Sequence, residues 1–138
     1  MGQQQGFAQK AQRTSRKEIV IVERDDAIAD FLQEVVWQAT SCKVFRVSTG
    51  EQALRIVPQL CPDLLIIGFQ LTDMTGIALH ERLHAIEELS SLPMLLLRTH
   101  QLWVHNEPTS CFSIEHPFDV DVLLQTIAVV LGDDIWMA

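Results

Sequence analysis

The chain has 138 residues, of which 18 are acidic and 10 basic, so its formal net charge at pH 7 is −8. With 48% apolar and 20% charged residues, it is too apolar for an intrinsically disordered chain and has the length of one domain. The acidic balance argues against binding to nucleic acid or to an anionic membrane surface, because both attract clustered Lys and Arg. No apolar run approaches the roughly 18–20 residues needed to cross a bilayer.

Cysteine usage and the N-terminal segment indicate the cellular compartment. Residues 1–17 are polar and Gln-rich and lack the apolar core of a signal peptide. Cys42, Cys61 and Cys111 are widely spaced and form no Cys-x-x-Cys pair, which is typical of reduced thiols. We therefore expect a cytoplasmic protein.

Five short apolar runs have the length of buried strands. Three of the runs are apolar at every position and the other two carry one polar residue each, Arg46 and Ser113, so both faces of the strands are expected to be covered, as in a parallel sheet flanked by helices. Amphipathic stretches between the runs give the alternation of strands and helices that is typical of an α/β fold. The predicted strands are residues 19–22, 44–47, 64–67, 94–97 and 111–114.

Cap residues predict where the first two helices begin and end. Asp25 or Asp26 can cap the first helix. Thr49 and Gln52 form a capping box for the second, which Pro58 is expected to end. A third helix follows Gly76.

Apolar spacing of three and four residues predicts the inward face of each helix. In the first helix these positions are Ile28, Phe31, Leu32, Val35, Val36 and Ala39. Asp119 caps the last helix and Gly132 ends it, with Val122, Leu123, Ile127, Val130 and Leu131 predicted to face inward.

The chain is predicted to form one domain over residues 18–132, since no repeat or linker interrupts that range. Residues 1–17 are expected to be a flexible lead-in, and residues 133–138 a C-terminal tail.

Four motifs, in order along the chain, resemble the receiver domain of bacterial response regulators in two-component systems. They are IVIVERDDAI, PDLLIIGFQLTDMTG, PMLLLRT and EHPFD, and the resemblance covers about residues 18–132. It implies a flavodoxin-like, doubly wound, five-stranded parallel sheet of order 2-1-3-4-5 with helices on both faces. The family's fourth helix, between the last two strands, is expected to be short or missing because the connecting segment is brief and contains Pro108. A cytoplasmic phosphorelay signalling module, not an enzyme, is the function implied.

The family's phosphorylation site is built from a few side chains at the strand ends. An aspartate after the third strand accepts the phosphoryl group, and with two acids after the first strand it holds Mg²⁺. A hydroxyl after the fourth strand and a lysine before a proline after the fifth contact the phosphoryl group. At the matching positions this chain has Gly68 for the aspartate, Glu23 and Arg24 for the acids, Arg98 for the hydroxyl, and His116 before Pro117 for the lysine.

These departures imply a degenerate receiver, or pseudo-receiver, that is not phosphorylated on aspartate. Gly68 has no side chain, and two guanidinium groups would oppose Mg²⁺ with one carboxylate to compensate. We therefore expect no cofactor. We expect an arginine, Arg24 in preference to Arg98, to take the place of the missing metal and to pair with Glu23 or Asp25, because an arginine fork matches carboxylate geometry.

Two other functions stay open at this point. One is an active receiver that uses Mg²⁺ and a non-standard acid, namely Glu23, Asp25 or Asp73. The other is a zinc hydrolase built on His80-Glu81-Arg82-Leu83-His84, which matches the H-E-x-x-H pattern. Arg82 argues against zinc. The neighbouring leucines are expected to take the inward face, so both histidines are predicted near its edge, on an exposed surface.

The expected mode of action is protein–protein interaction in a signalling pathway, with a second copy of the chain among the candidate partners. Trp103 and Val104 lie between the last two predicted strands, where receivers contact dimer partners or output domains. An exposed Trp103 would anchor a partner, whereas a buried one would cover the gap left by the short helix. The acidic surface favours a basic protein partner.

Overall fold

The computed structural model describes residues 16–99, 111–116 and 119–137, with side chains except at 98–99 and 111–116. All five predicted strands are present, and four helices lie within these ranges. In chain order the elements are β1 (Glu18–Val22), α1 (Asp26–Ala39), β2 (Lys43–Val47), α2 (Gly50–Leu60), β3 (Leu64–Gly68), α3 (Gly76–His84), a 3₁₀ turn (Glu87–Leu89), β4 (Met94–Thr99), β5 (Cys111–His116), α4 (Val120–Leu131) and a second 3₁₀ turn (Asp133–Ile135).

The strands form one parallel sheet of order β2-β1-β3-β4-β5, which confirms the predicted architecture. The central strands β1 and β3 are neighbours, and their register pairs Val22 with Ile67. Every residue of β3 is buried, as expected for a strand covered on both faces.

Each face of the sheet carries its own apolar core. Alternate residues of β1 point to opposite faces, so Ile19 and Ile21 join the core under α1 and α4. Val20 and Val22 join the core under α2 and α3. The edge at which all five strands end is therefore supported by a packed core on each face of the sheet.

The predicted caps hold the first two helices. Asp25, not Asp26, is the N-cap of α1, and its Oδ1 accepts from the N–H groups of Ala27 and Ile28. Thr49 Oγ1 accepts from Gln52 N at 3.1 Å, as in a capping box. In a full capping box the Gln52 side chain would accept from the N–H of Thr49. Here Gln52 Oε1 accepts from Ser48 N, one residue before the cap.

The prediction that Pro58 ends the second helix is wrong, because α2 continues to Leu60. A proline in the last turn removes a single helical hydrogen bond, and the remaining turn can still close. Cys61 N donates to Val57 O at 2.9 Å, and Cys61 ends the helix in a left-handed conformation with φ of 47°.

Two of the residues predicted to face inward are exposed. Phe31 is 45% exposed and Val122 is 52% exposed, although the apolar spacing placed both on the inner face. The buried stripe of α1 is narrower than predicted and is centred on Ala29, Leu32 and Val36. Apolar side chains beside that stripe consequently remain in contact with solvent.

Some predictions fall outside the described residues. The prediction that the helix between β4 and β5 is short or missing concerns residues 100–110, which the structure does not describe, and Trp103 and Val104 belong to the same range. Within the described ranges, no helix is long and apolar enough to cross a membrane.

Gly76, the first residue of α3, is packed directly against the end of β3. Its N–H donates to Phe69 O at 2.8 Å. A Cβ added there would collide with the carbonyl oxygen of Gly68 and would lie 2.9 Å from Leu96 Cδ1. Only glycine lets the helix begin this close to the strand.

We predict that Gly76→Ala destabilises the protein by about 1–3 kcal/mol, the usual cost of overpacking a core. Alanine normally stabilises a helix relative to glycine, so the sign itself is diagnostic. The matched control is Gly50→Ala at the start of α2, whose new Cβ would meet the flexible Met74 side chain. Urea unfolding should show a smaller loss for the control, and equal losses would contradict the packing argument.

Candidate functional site

The predicted site residues are brought to one edge of the sheet, because the carboxyl ends of parallel strands lie together. Glu23 directly follows β1, and Gly68 is the last residue of β3. Arg98 and His116 lie at the ends of β4 and β5, and their side chains are outside the described part of the structure. Pro117 also lies outside it.

Glu23 and Gly68 face each other across the two central strands. The register that pairs Val22 with Ile67 makes them the next pair, and Glu23 N donates to Val47 O at 3.1 Å. A Cβ built on Gly68 would overlap Glu23 Oε2 and lie 3.0 Å from Glu23 Cδ. The Glu23 carboxylate therefore fills the space that a side chain at residue 68 would need.

The Glu23 carboxyl is removed from water to an unusual degree for an acid. Glu23 is only 8% exposed, and its Oε1 accepts from Asp25 N at 3.3 Å. Burial raises the pKa of Glu23, and the nearby charge of Asp25 acts in the same direction. The Asp25 N–H and the charge of Arg24 oppose the rise only in part.

The prediction for Arg24 is wrong. Its side chain is exposed and forms no ion pair or hydrogen bond with the part of the chain that the structure describes. Glu23 turns toward Gly68 instead, and Asp25 caps α1. The space next to Gly68 is thus filled by the Glu23 carboxylate and not by the Arg24 guanidinium group, while the Arg98 side chain lies outside the described part of the structure.

Asp73, the third acid that was considered as a phosphoacceptor, binds the start of α2. Its two carboxylate oxygens accept from Gly50 N and Glu51 N, both at 2.9 Å. The Gly50 and Glu51 N–H groups hold the pKa of Asp73 below its usual range. The two bonds join the loop after β3 to the start of α2. Because Asp73 lies more than 20 residues from these N–H groups, no local sequence pattern predicts this cap.

A cleft of about 300 Å³ opens beside Glu23, between β2 and the first turns of α1 and α2. Sequence reasoning did not single out its main charged residue, Arg46. Arg46 pairs with Asp26 at 3.7 Å, contacts Asp30 and donates to Gln33 Oε1 at 3.2 Å. The cleft is lined by Glu23, Asp26, Arg46, Val47, Ser48 and Gln52.

The residues of this edge do not fit the magnesium ion that the family holds. Mg²⁺ demands near-octahedral oxygen ligands, usually including two carboxylates. Of the described acids here, Glu23 alone lies against Gly68, whereas Asp25 caps α1 through Oδ1 and Asp26 is paired with Arg46. Within the described ranges, no three His, Cys, Asp or Glu side chains are grouped so as to bind a metal.

The His-Glu-Arg-Leu-His segment is part of the α3 packing. His80 is buried at 3% exposure, so the prediction of an exposed surface is wrong for this residue. Burial lowers the pKa of His80, with the charge of His84 acting in the same direction, and the two rings lie 4.1 Å apart. His84 Nε2 lies 3.1 Å from Leu92 O. A carbonyl can only accept, so this nitrogen carries a proton and is not free to coordinate zinc.

Comparison with known proteins identifies the family. The sequence model of the response regulator receiver domain family matches residues 19–104, so the chain belongs to that family. The polar-differentiation response regulator DivK of Brucella ovis is 25% identical over 121 residues, which cover 85% of this chain and 98% of that protein.

Solved structures share the fold at lower identity. The receiver domain of a sensor histidine kinase from Pseudomonas aeruginosa PAO1, with magnesium coordinated in its active-site cleft, aligns with a TM-score of 0.76. It is 19% identical, and the match covers 86% of this chain and 99% of that one. The chemotaxis response regulator CheY4 of Vibrio cholerae aligns with a TM-score of 0.72 at 17% identity, covering 83% and 98% of the two chains. Receiver domains are signalling modules that interact with partner proteins.

We predict that Glu23→Gln raises the free energy of unfolding at pH 7. A carboxyl whose pKa is raised in the folded state binds more protons there than in the unfolded state. Stability therefore falls as the pH rises from the ordinary pKa of 4.5 through the raised value. Glutamine removes this penalty, so the variant should gain stability at pH 7 and little at pH 4. Urea unfolding at both pH values measures the difference, with exposed Glu34→Gln as the control. An equal effect at both pH values would contradict the burial of the charge.

Proposed function

We propose that this chain is a receiver domain that signals without aspartyl phosphorylation, through binding to a protein partner. The observation that carries the proposal is the Glu23 carboxylate lying over Gly68, where the family has its phosphoacceptor. With that space filled from β1, a phosphoryl donor finds no acceptor side chain at the end of β3.

The state of the other acids supports the same proposal. A nucleophilic carboxylate needs an oxygen directed at the phosphorus, with a cation to offset the charge that collects there. Asp25 and Asp73 direct theirs to helix N-termini, at 2.9 Å from the nearest N–H in each case. Redirecting either one would leave those donors unsatisfied.

One alternative keeps a specific observation in its favour. Glu23 places an oxygen close to where the aspartate carboxylate of an active receiver would lie, so a phosphorylated Glu23 is the second candidate. Against it, the carboxyl is 8% exposed and carries a raised pKa, which disfavours the charged form that attacks phosphorus.

We predict that acetyl phosphate and Mg²⁺ leave the intact mass of the protein unchanged. A receiver of the same family with its full set of acids, in the same tube, shows that the reagent is active. Addition of one phosphoryl group to this chain would overturn the proposal. If Glu23→Gln then abolished the adduct while Asp73→Asn kept it, the second candidate would replace the first.

A further inference from the structure

The exposed apolar side chains of this protein are concentrated on one side of the sheet. Of the large apolar residues exposed in the described part of the chain, all but Phe45 belong to α1, α4 or residues 133–137. They are Phe31, Trp37, Val122, Val129 and Met137. The opposite layer, α2 and α3, contributes none of them. We call the outward surface of α1, α4 and residues 133–137 the α1–α4 face.

The centre of this face is a ridge on α4. Val122 and Val129 are seven residues apart, two helical turns, and therefore lie on the same side of the helix. They are 52% and 76% exposed. The segment after α4 extends the face to the end of α1, because Ile135 O accepts from Ser41 N at 2.8 Å and Met137 N donates to Ala39 O at 3.1 Å.

The charge on the α1–α4 face is mainly negative, although Arg16 lies at its edge and donates from Nε to Ser41 O, next to the segment after α4. Neither helix, nor the segment after α4, contains a single Lys or Arg. Arg46 of β2 neutralises part of this charge through Asp26 and Asp30. By contrast, α2 and α3 carry Arg55 and Arg82 among their acids. The exposed acids of the face are Asp26, Asp30, Glu34, Asp119, Asp121, Asp133 and Asp134.

Single exposed apolar residues are normal on protein surfaces, but a group of them surrounded by charge of mainly one sign marks an interaction site. We propose that the α1–α4 face binds an amphipathic helix of another protein, with Lys and Arg flanking its apolar stripe. This inference rests on the proposed function and names the kind of partner it requires. An amphipathic helix can place its apolar stripe against exposed apolar side chains and its cations against the surrounding acids.

Charge complementarity selects this occupant over the others. A second copy of the chain using the same face would bring two mainly acidic surfaces together, and like charges in contact cost several kcal/mol. Nucleic acid and anionic lipid carry the same sign as the face and are repelled as well. A basic helix gains both attraction at a distance and apolar contact at the ridge.

The test uses a synthetic peptide of leucine and lysine patterned as an amphipathic helix, with a leucine and glutamate peptide as the control. Titration by fluorescence anisotropy gives the affinities, and amide NMR shifts locate the contact. We expect the lysine peptide to bind, the glutamate peptide not to bind, and the shifts to concentrate in α1, α4 and residues 133–137.

Val129→Glu separates apolar docking from simple charge attraction. The variant adds an acid to an already acidic face, so a purely electrostatic complex would tighten. Docking on the ridge predicts the opposite, a loss of about tenfold or more, equivalent to about 1.4 kcal/mol. Gln59→Glu, which adds the same charge to exposed α2, should leave the affinity nearly unchanged. Both positions are exposed, and thermal unfolding verifies that the variants fold.

Three results would overturn the proposal: no binding at millimolar peptide, equal binding of the two peptides, or a Val129→Glu complex as tight as the wild-type one. Repeating the titration with acetyl phosphate and Mg²⁺ distinguishes this inference from the proposed function. An affinity that changes on phosphorylation would contradict phosphorylation-independent signalling and still support the surface.

Discussion

The close approach of Glu23 to Gly68 governs the chemistry of this protein. Parallel pairing of β1 with β3 puts the two residues opposite each other at the end of the sheet. Any side chain at residue 68 would need the space that the Glu23 carboxylate now takes, because a Cβ there would overlap Glu23 Oε2. Since residue 68 has no side chain, the Glu23 carboxyl lies over it and is buried there with a raised pKa. Asp25 and Asp73, the other two acids considered as phosphoacceptors, accept N–H groups at the starts of helices.

Much of the fold could be predicted from the sequence because its signals are local. A run such as residues 64–67 is apolar on both faces, which only a covered parallel strand requires, and β3 has that position. The side chains of Asp25 and Asp119 accept from N–H groups two and three residues further on, so the sequence predicts these caps as well. The empty acceptor position at Gly68 followed from the order of the motifs. For the strands and the caps, the residues that determine the structure lie within a few positions of it.

The incorrect predictions share another cause, which is competition between side chains distant in sequence. Arg24 does not occupy the space beside Gly68, because Gly68 has no side chain and the Glu23 carboxylate lies there. His80 is buried since the rotation of a nine-residue helix depends on what packs beneath it, and apolar spacing alone left that rotation undetermined. Phe31 and Val122 stay exposed because the sheet covers a narrower stripe of each helix than the spacing suggested. These two residues belong to the α1–α4 face.

A crystal structure grown with Mg²⁺ and beryllium fluoride, which mimics a phosphoryl group on a carboxylate, tests the central claim most directly. The account predicts that the Glu23 carboxylate stays over Gly68, with neither magnesium nor beryllium fluoride bound at the strand ends. A Glu23 side chain rotated away from Gly68, with both groups bound in the space it had filled, would contradict the account.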